Sequence, residues 1–369
     1  MIIKTKIPLS KPFLGDEEKK ASLRVINSNI LSRGRETENF ELEFKNYVGK
    51  KYAVAVSNGT SGLHLAVRAL GWKKGDEIIT SPYSFIASGN VLLYEGIKPV
   101  FADIDSKTFN IDPREIEKKI TKNTKGILLI HVFGLPVNYK EIKKIVEKYN
   151  LDVIEDACEA LGKPSEDFPV GRLGDICVYS FYENKPLTSG GEGGMIATND
   201  AKFYQYCKSA RDQGRSNEKG WLNHVILGYN YRMTEIQAAI GAEQLKKLDK
   251  LLFERRKIAK IYYNNLKNCG YLETLKFELD YRRNWVFYII KFKDSKLREK
   301  AISAFAAKGI SSHVYFPPIH LFPTYKDLGY RKGDFPVSEA ISETTLAIPF
   351  YPYMSKEEIF LISNILKNL

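Results

Sequence analysis

From residue 51 to residue 157, short apolar runs of strand length alternate with longer runs of helical spacing. This alternation leaves the chain few architectures. KYAVAVS (51–57) ends at Asn58-Gly59 and gives way to TSGLHLAVRALG (60–71), whose apolar residues recur at helical intervals and stop on a glycine. EIITSPY (77–83), KPVFADI (98–104), GILLIHVFG (126–134) and LDVIEDA (151–157) have the character of further strands. Between them lie the helical patterns SGNVLLYEG (88–96), PREIEKKI (113–120) and YKEIKKIVEKYN (139–150). DICVYSF (175–181) and MIATND (195–200) follow as strands. Repeated βα units build a mainly parallel sheet covered by helices on its faces, so the expected fold class is α/β.

The texture changes near residue 245. QLKKLDKLLFERRKIAKIYYNNLKN (244–268) is one long helical pattern. A strand, NWVFYIIKFK (284–293), a helix, LREKAISAFAAKG (297–309), a strand, SSHVYF (311–316), and a terminal amphipathic helix, EEIFLISNILKNL (357–369), complete the chain. The expected organisation is a large α/β domain over 1–245, with an N-terminal arm, and a smaller α+β domain over 246–369.

Lys and Arg exceed Asp and Glu by 56 − 44 = 12 over 369 residues. The basic residues are interspersed with acidic ones, as in EKKI and LREK, and no basic block stands apart. A nucleic-acid partner is therefore not expected, and no helix-turn-helix module is left over to provide one. The four cysteines form no CxxC pair and the five histidines show no zinc spacing, so neither a disulfide framework nor a metal site is expected. MIIKTKIPLSKP lacks the apolar core of a signal peptide, and no apolar run approaches a membrane span. The expectation is a reduced, cytoplasmic protein.

In an open α/β sheet, ligands gather at the carboxyl ends of the strands. Four local signals fall there. SNGTSGLHL (57–65) places a glycine turn and a helix start after a strand, which makes an anion site or an ordinary N-cap. Asp156 in VIEDACEALG follows a buried strand as a cap or a functional carboxylate. SPYSFIAS (81–88) sets Tyr83 and Phe85 just past a strand, as core aromatics or as a stacking surface. SFYENKPLTSGGEGGMI (180–196) carries Ser180 and Lys185 ahead of Gly190, Gly191, Gly193 and Gly194, an unusual setting for a surface lysine. Together these supply a phosphate cradle, a flat aromatic, a carboxylate and a lysine. Those are the four contacts that pyridoxal 5′-phosphate (PLP) needs.

At this point the chain resembles the DegT/DnrJ/StrS aminotransferases, PLP enzymes of fold type I that mostly aminate keto-sugars attached to nucleotides. The resemblance runs from IPLSKP through SNGTSGLHLAVRALG, PYSFIASGNVLLYEGIKPVFADID, IEDACEALG, YSFYENKPLTSGGEGGMIAT, RDQGR and GYNYRMTEIQAAIG to HVYFPPIHLFPTY and LAIPFYPYMSKEE. It implies that Lys185 is the Schiff-base lysine and Asp156 the partner of the pyridinium nitrogen. It implies that Gly59, Thr60 and Ser180 hold the phosphate and that Phe85 stacks on the ring. Asn230 would reach the phosphate of a neighbouring subunit, which implies a homodimer with shared active sites. Glu159 stands where the family often has glutamine or histidine near the ring hydroxyl. The implied reaction moves an amino group from an amino acid, L-glutamate, to a nucleotide-linked keto-sugar. Family dehydratases carry histidine in place of the lysine, so Lys185 argues for transamination over dehydration; a non-catalytic PLP-binding regulator is the third reading. Tyr315 and His320 in HVYFPPIHL are candidate substrate contacts, His131 a further one, and Arg33 and Arg232 candidate anion ligands.

Overall fold

In the computed structural model, which describes residues 6–216, 222–274 and 283–369, the predicted strands assemble into one seven-stranded sheet. The strands are β1 (Tyr52–Val56), β2 (Glu77–Thr80), β3 (Lys98–Phe101), β4 (Thr124–Ile130), β5 (Asp152–Asp156), β6 (Ile176–Ser180) and β7 (Gly194–Thr198), in the order β1-β7-β6-β5-β4-β2-β3. The pairs β2–β3, β2–β4, β4–β5 and β5–β6 are parallel, while β7 runs antiparallel to both β1 and β6. Every strand except β7 therefore points the same way, and their carboxyl ends share one edge of the sheet.

The helices of this part are α1 (Asp16–Ser28), α2 (Arg35–Val48), α3 (Gly59–Ala69), α4 (Ala87–Tyr94), α5 (Pro113–Lys119), α6 (Tyr139–Tyr149) and α7 (Ala201–Ala210). Strand residues alternate between two cores, as the pleat requires. Val54, Val56, Ile176, Val178 and Ile196 pack with Leu63, Leu65, Ala66 and Val67 of α3. Ala53, Ala55, Cys177, Tyr179, Met195 and Ala197 pack on the opposite face with Phe40, Phe44 and Val48 of α2. A third cluster buries Val153 and Leu129 beneath Ile116 of α5 and Ile142 and Ile145 of α6. On β5, Ile154 belongs to the α3 face and Val153 to the α5–α6 face. Asp156 thus shares the α3 face with Ile154, and Glu155 is turned the other way.

The long helical pattern forms α8 (Glu235–Leu266), and it begins before residue 244, at a capping box made by Thr234 and Gln237. Its early residues Ala238, Ala242, Leu245 and Leu248 join the α2 core, and its late residues Ile258, Ala259, Tyr262 and Leu266 join Trp285, Tyr288 and Phe350. The expected division at 245/246 falls inside this helix. Beyond it, β8 (Leu272–Thr274), β9 (Tyr288–Phe292) and β10 (Thr345–Ile348) form an antiparallel sheet in the order β10-β9-β8, accompanied by α9 (Ser295–Ala307), α11 (Pro336–Thr344) and α12 (Lys356–Lys367), while Tyr325 of the short α10 (Pro323–Lys326) packs on Phe101 of β3 and bonds Asn90 of α4. The expected strand at 311–316 is not one. It makes a single bridge, His313 to Ala347, and then leaves the sheet for Pro317 and Pro318. β10 takes the place beside β9, and Tyr315 is released toward the cavity described next.

Candidate active site

At the shared carboxyl edge lies a cavity of about 510 Å³. Its lining includes Asn58, Gly59 and Thr60 after β1, Phe85 and Ser88 after β2, Asp156 and Glu159 after β5, and Ser180, Asn184 and Lys185 after β6. Phe287, just before β9, and Tyr315, just after the His313 bridge, complete its lining. A larger groove, about 1160 Å³, runs beside α5 and α6, but it contains neither Lys185 nor any residue of the β5 or β6 ends. The smaller cavity is the one that holds Lys185 and Asp156.

The first turn of α3 enters this cavity. Asn58 caps it, its side chain accepting from the Ser61 amide at 2.8 Å. That leaves other amides of the turn free to face an anion, reinforced by the helix dipole. The approach is close. A Cβ on Gly59 would lie 2.8 Å from Cys158 Sγ and 3.1 Å from Ser180 Cβ. On β7, a Cβ on Gly194 would lie 2.7 Å from the Asn58 carbonyl carbon and oxygen. Part of the glycine run therefore exists to let β7 and the α3 turn touch. Gly191, with φ of 118°, makes the reversal that brings the chain back.

Asp156 ends β5 and is buried. Its Oδ2 accepts from Ser88 Oγ at 2.9 Å and its Oδ1 from the Cys158 amide at 3.1 Å. These two bonds fix the carboxylate plane in the cavity floor. Lys185 stands opposite, its backbone amide donating to the Tyr182 carbonyl at 2.9 Å in a turn after β6. Its Nζ lies 3.7 Å from Glu159 Oε1 and 5.6 Å from the centroid of the Phe287 ring. Glu159 Oε2 accepts from the Phe133 amide at 2.9 Å. Burial pushes the Glu159 carboxyl above the usual range, against the pull of Lys185 and of that amide. Burial and the nearby Glu159 push the Tyr315 phenol up to about 12. Asn184 Oδ1 is buried beside the cavity without a hydrogen-bond partner. A flat, phosphorylated, cationic-nitrogen ligand fits this set: anion cradle, carboxylate, amine and an unsatisfied acceptor.

A family model, the DegT/DnrJ/EryC1/StrS aminotransferase family, matches residues 12–367. The chain belongs to this family. It is therefore an aminotransferase dependent on PLP, with the fold of the PLP aminotransferases. GDP-perosamine synthase of Escherichia coli O157:H7 is 36% identical to it, covering 96% of each chain. PseC of Helicobacter pylori, an aminotransferase involved in the biosynthesis of pseudoaminic acid, superposes with a TM-score of 0.93 at 30% identity over 98% of each chain. The structure of NtdA from Bacillus subtilis with bound cofactor PMP superposes with a TM-score of 0.88 at 30% identity, covering 96% of this chain and 81% of its own.

Within this aminotransferase, Lys185, Asp156, Glu159, Gly59, Thr60, Ser180, Phe85 and Tyr315 all line the one cavity. Phe85 is 61% exposed at its mouth, while Tyr83 is a core ring among Phe109, Phe133 and Phe316. His320 does not line the cavity, which corrects its expected substrate role. It is fully buried, with Nε2 2.9 Å from Glu339 Oε1 and its ring against Phe335. His131 is likewise absent from the lining; it pairs with Glu155 at 2.9 Å on the face away from Asp156. Arg33 and Arg232 both pair with Asp212 and border a separate crevice. Asn230 is exposed and lies outside the cavity of its own chain. Ser88, Asn184 and Phe287 were not anticipated. Ser88 ends the SPYSFIAS motif and Asn184 directly precedes the lysine, so position could have flagged both. Phe287 lies in an apolar run that reads as core.

Among the described residues, no group of His, Cys, Asp and Glu could hold a metal ion, and no helix is long and apolar enough to cross a membrane.

Proposed function

We propose that this aminotransferase moves an amino group from L-glutamate to a nucleotide-linked keto-sugar, a 3- or 4-keto-6-deoxyhexose, in a ping-pong reaction centred on Lys185. The carrying observation is the convergence of Lys185, Asp156 and Glu159 with the first turn of α3 in one cavity. The names of the relatives, which include a GDP-perosamine synthase and a dTDP-3-amino-3,6-dideoxy-alpha-D-galactopyranose transaminase, support a sugar acceptor.

PLP, when bound, supplies the aldehyde that carries the amino group and a ring that takes up the electrons left when a carbon loses its proton. The protein does the rest. The amides of Gly59 and Thr60 and the Ser180 hydroxyl hold the phosphate. Asp156, oriented by Ser88 and the Cys158 amide, is the carboxylate that would pair with the ring nitrogen. Phe85 covers one face of the ring. Lys185 Nζ is the group that would hold the cofactor between turnovers, and its free amine is the base in the lining that would take the proton from the donor's α-carbon. Across the two half-reactions L-glutamate would leave as 2-oxoglutarate and the keto-sugar would leave as the amino-sugar. Tyr315, in the cavity lining, is the side chain that would meet the acceptor. Asn230 serves the phosphate of a second copy, a reading supported by its exposure and its place outside its own cavity.

The test is a half-reaction. Purified enzyme given L-glutamate is expected to release one 2-oxoglutarate per site, and borohydride is expected to fix PLP on Lys185 in a peptide map. Lys185→Ala is expected to lose about 10²–10⁴-fold in rate. Release of 2-oxoglutarate at an undiminished rate by Lys185→Ala would sink the mechanism, and absence of any 2-oxoglutarate from the wild type would sink the donor.

A further inference from the structure

Asn230 lies between two tyrosines whose rings are stacked, with centroids 5.0 Å apart and planes 8° from parallel. Both are held from below by α3. His64, buried on the second turn of that helix, places Nδ1 3.1 Å from Tyr231 Oη and its ring 4.9 Å from that of Tyr229. The other ring nitrogen, Nε2, is 2.8 Å from Glu95 Oε1. Glu95 Oε2 in turn accepts from Arg68 at 2.7 Å, and Arg68 Nε donates to Tyr206 Oη at 3.3 Å. The backbone is tied as firmly. The Tyr231 carbonyl accepts from the Ser57 amide at 2.8 Å, Tyr231 N donates to Arg211 at 2.9 Å, and Tyr229 N donates to Ala210 at 2.6 Å. The residues on both sides of Asn230 are locked, yet Asn230 itself faces outward and exposed.

We propose that His64, Glu95, Tyr229 and Tyr231 form a positioning clamp that presents Asn230 to the cofactor phosphate of the partner subunit, and so ties the phosphate helix of one active site to the phosphate contact of the other. This rests on the reading in which Asn230 serves the partner's site. A hydrogen-bonding side chain pays for being held in place only through the rotamer and backbone freedom it would otherwise lose on binding. A clamp removes that loss before the phosphate arrives. The same helix carries the clamp at His64 and the cradle at Gly59 and Thr60, so a lesion in His64 has two conceivable destinations: its own site through α3, or the neighbour's site through Asn230. The geometry favours the second. The His64 and Tyr231 side chains meet on the second turn, while the first turn is held by the Asn58 cap and by the close approach of Gly194; the backbone bond from Ser57 to the Tyr231 carbonyl does not involve the Tyr231 hydroxyl.

Two heterodimers, purified through different tags, separate these destinations. In both, only one site can form the yellow lysine-bound cofactor, because the other carries Lys185→Ala. In the first, Tyr231→Phe is on the chain that retains Lys185; in the second, it is on the chain that carries Lys185→Ala. PLP affinity is read from the visible absorbance on titration. Tyr231→Phe keeps both rings and removes one hydrogen bond, so the expected loss is about three- to tenfold, in the second heterodimer alone. His64→Ala, which removes both partners, is expected to give the same pattern with a larger loss. A loss in the first heterodimer alone would show that the clamp serves its own cradle and overturns the proposal; a loss in both, or in neither, also overturns it. Asn230→Ala placed in the same two arrangements is the control for the underlying reading. If its effect does not appear in the second heterodimer alone, the shared site has failed; if it does and Tyr231→Phe does not follow it, only the clamp has failed.

Discussion

Asp156 and Glu159 are three positions apart, both buried, and the surroundings set them different tasks. Asp156 accepts from Ser88 and from the Cys158 amide, bonds that hold its carboxyl group in one orientation. Asp156→Asn is expected to cut turnover by at least an order of magnitude while PLP affinity falls only modestly, because a charge-assisted bond is about twice as strong as a neutral one and it is the ring's electron uptake that needs the charge. Parallel measurement of rate and PLP affinity checks this; a variant that only melts earlier and turns over normally would make Asp156 the anchor of the turn at Cys158 and nothing more. Glu159 has its carboxyl pushed up by burial. A raised folded-state value means that the native protein still holds the proton where the unfolded chain has lost it. The stability associated with the neutral carboxyl is full below the ordinary glutamate range, about pH 4.3, and is lost as pH rises through the raised value. The melting temperature of apo wild type, relative to apo Glu159→Gln, is therefore expected to fall as pH rises above about 4.3. A difference independent of pH would mean that Glu159 does not titrate in this window.

The β7 strand and the α3 turn show how little room an element can have. A Cβ on Gly194 would lie 2.7 Å from the Asn58 carbonyl group and 2.9 Å from the Gly59 nitrogen, all backbone atoms that cannot swing aside. Gly194→Ala is expected to cost about 1–3 kcal/mol through forced overpacking and to weaken PLP binding as the turn is pushed out of place. Gly270→Ala is the control: a Cβ there meets nothing within 4 Å, so urea unfolding is expected to shift little. Equal shifts for the two variants would contradict the close approach. The neighbouring β5 strand works differently. Glu155, facing away from the cavity, accepts from the amides of Gly171, Leu173 and Gly174 and pairs with His131. One strand thus carries the site carboxylate on one side and the anchor of the following loop on the other.

At the scale of the whole molecule, the expected homodimer makes a prediction that no single chain can satisfy. Lys185→Ala and Asn230→Ala homodimers are each expected to be strongly impaired. Mixed, they are expected to recover toward half the wild-type activity per heterodimer, because one site then carries both lesions and the other none. Failure of mixing to restore activity, with heterodimers shown to form, would place Asn230 in its own chain's site or in none.

The α/β class, the helices α3, α5 and α6 and the principal cavity residues were legible in the sequence because each depends on local signals: apolar period, capping residues, glycine turns, and a strand end that directs its last side chain to a known edge. The resemblance added the chemistry of the set. What the sequence could not supply were relations between distant segments. His320 and His131 read as polar candidates near a ligand, and only packing showed that Glu339 and Glu155 had already claimed them. The run 311–316 has strand composition, but it pairs with β10 at His313 and Ala347 alone, and how far two segments stay paired is not written in either alone. Ser88 reaching Asp156 and Tyr231 reaching His64 each join residues from separate elements. Local sequence determines which elements form; which side chains meet is decided by how those elements pack, since a hydrogen bond depends on tenths of an ångström that no periodicity encodes.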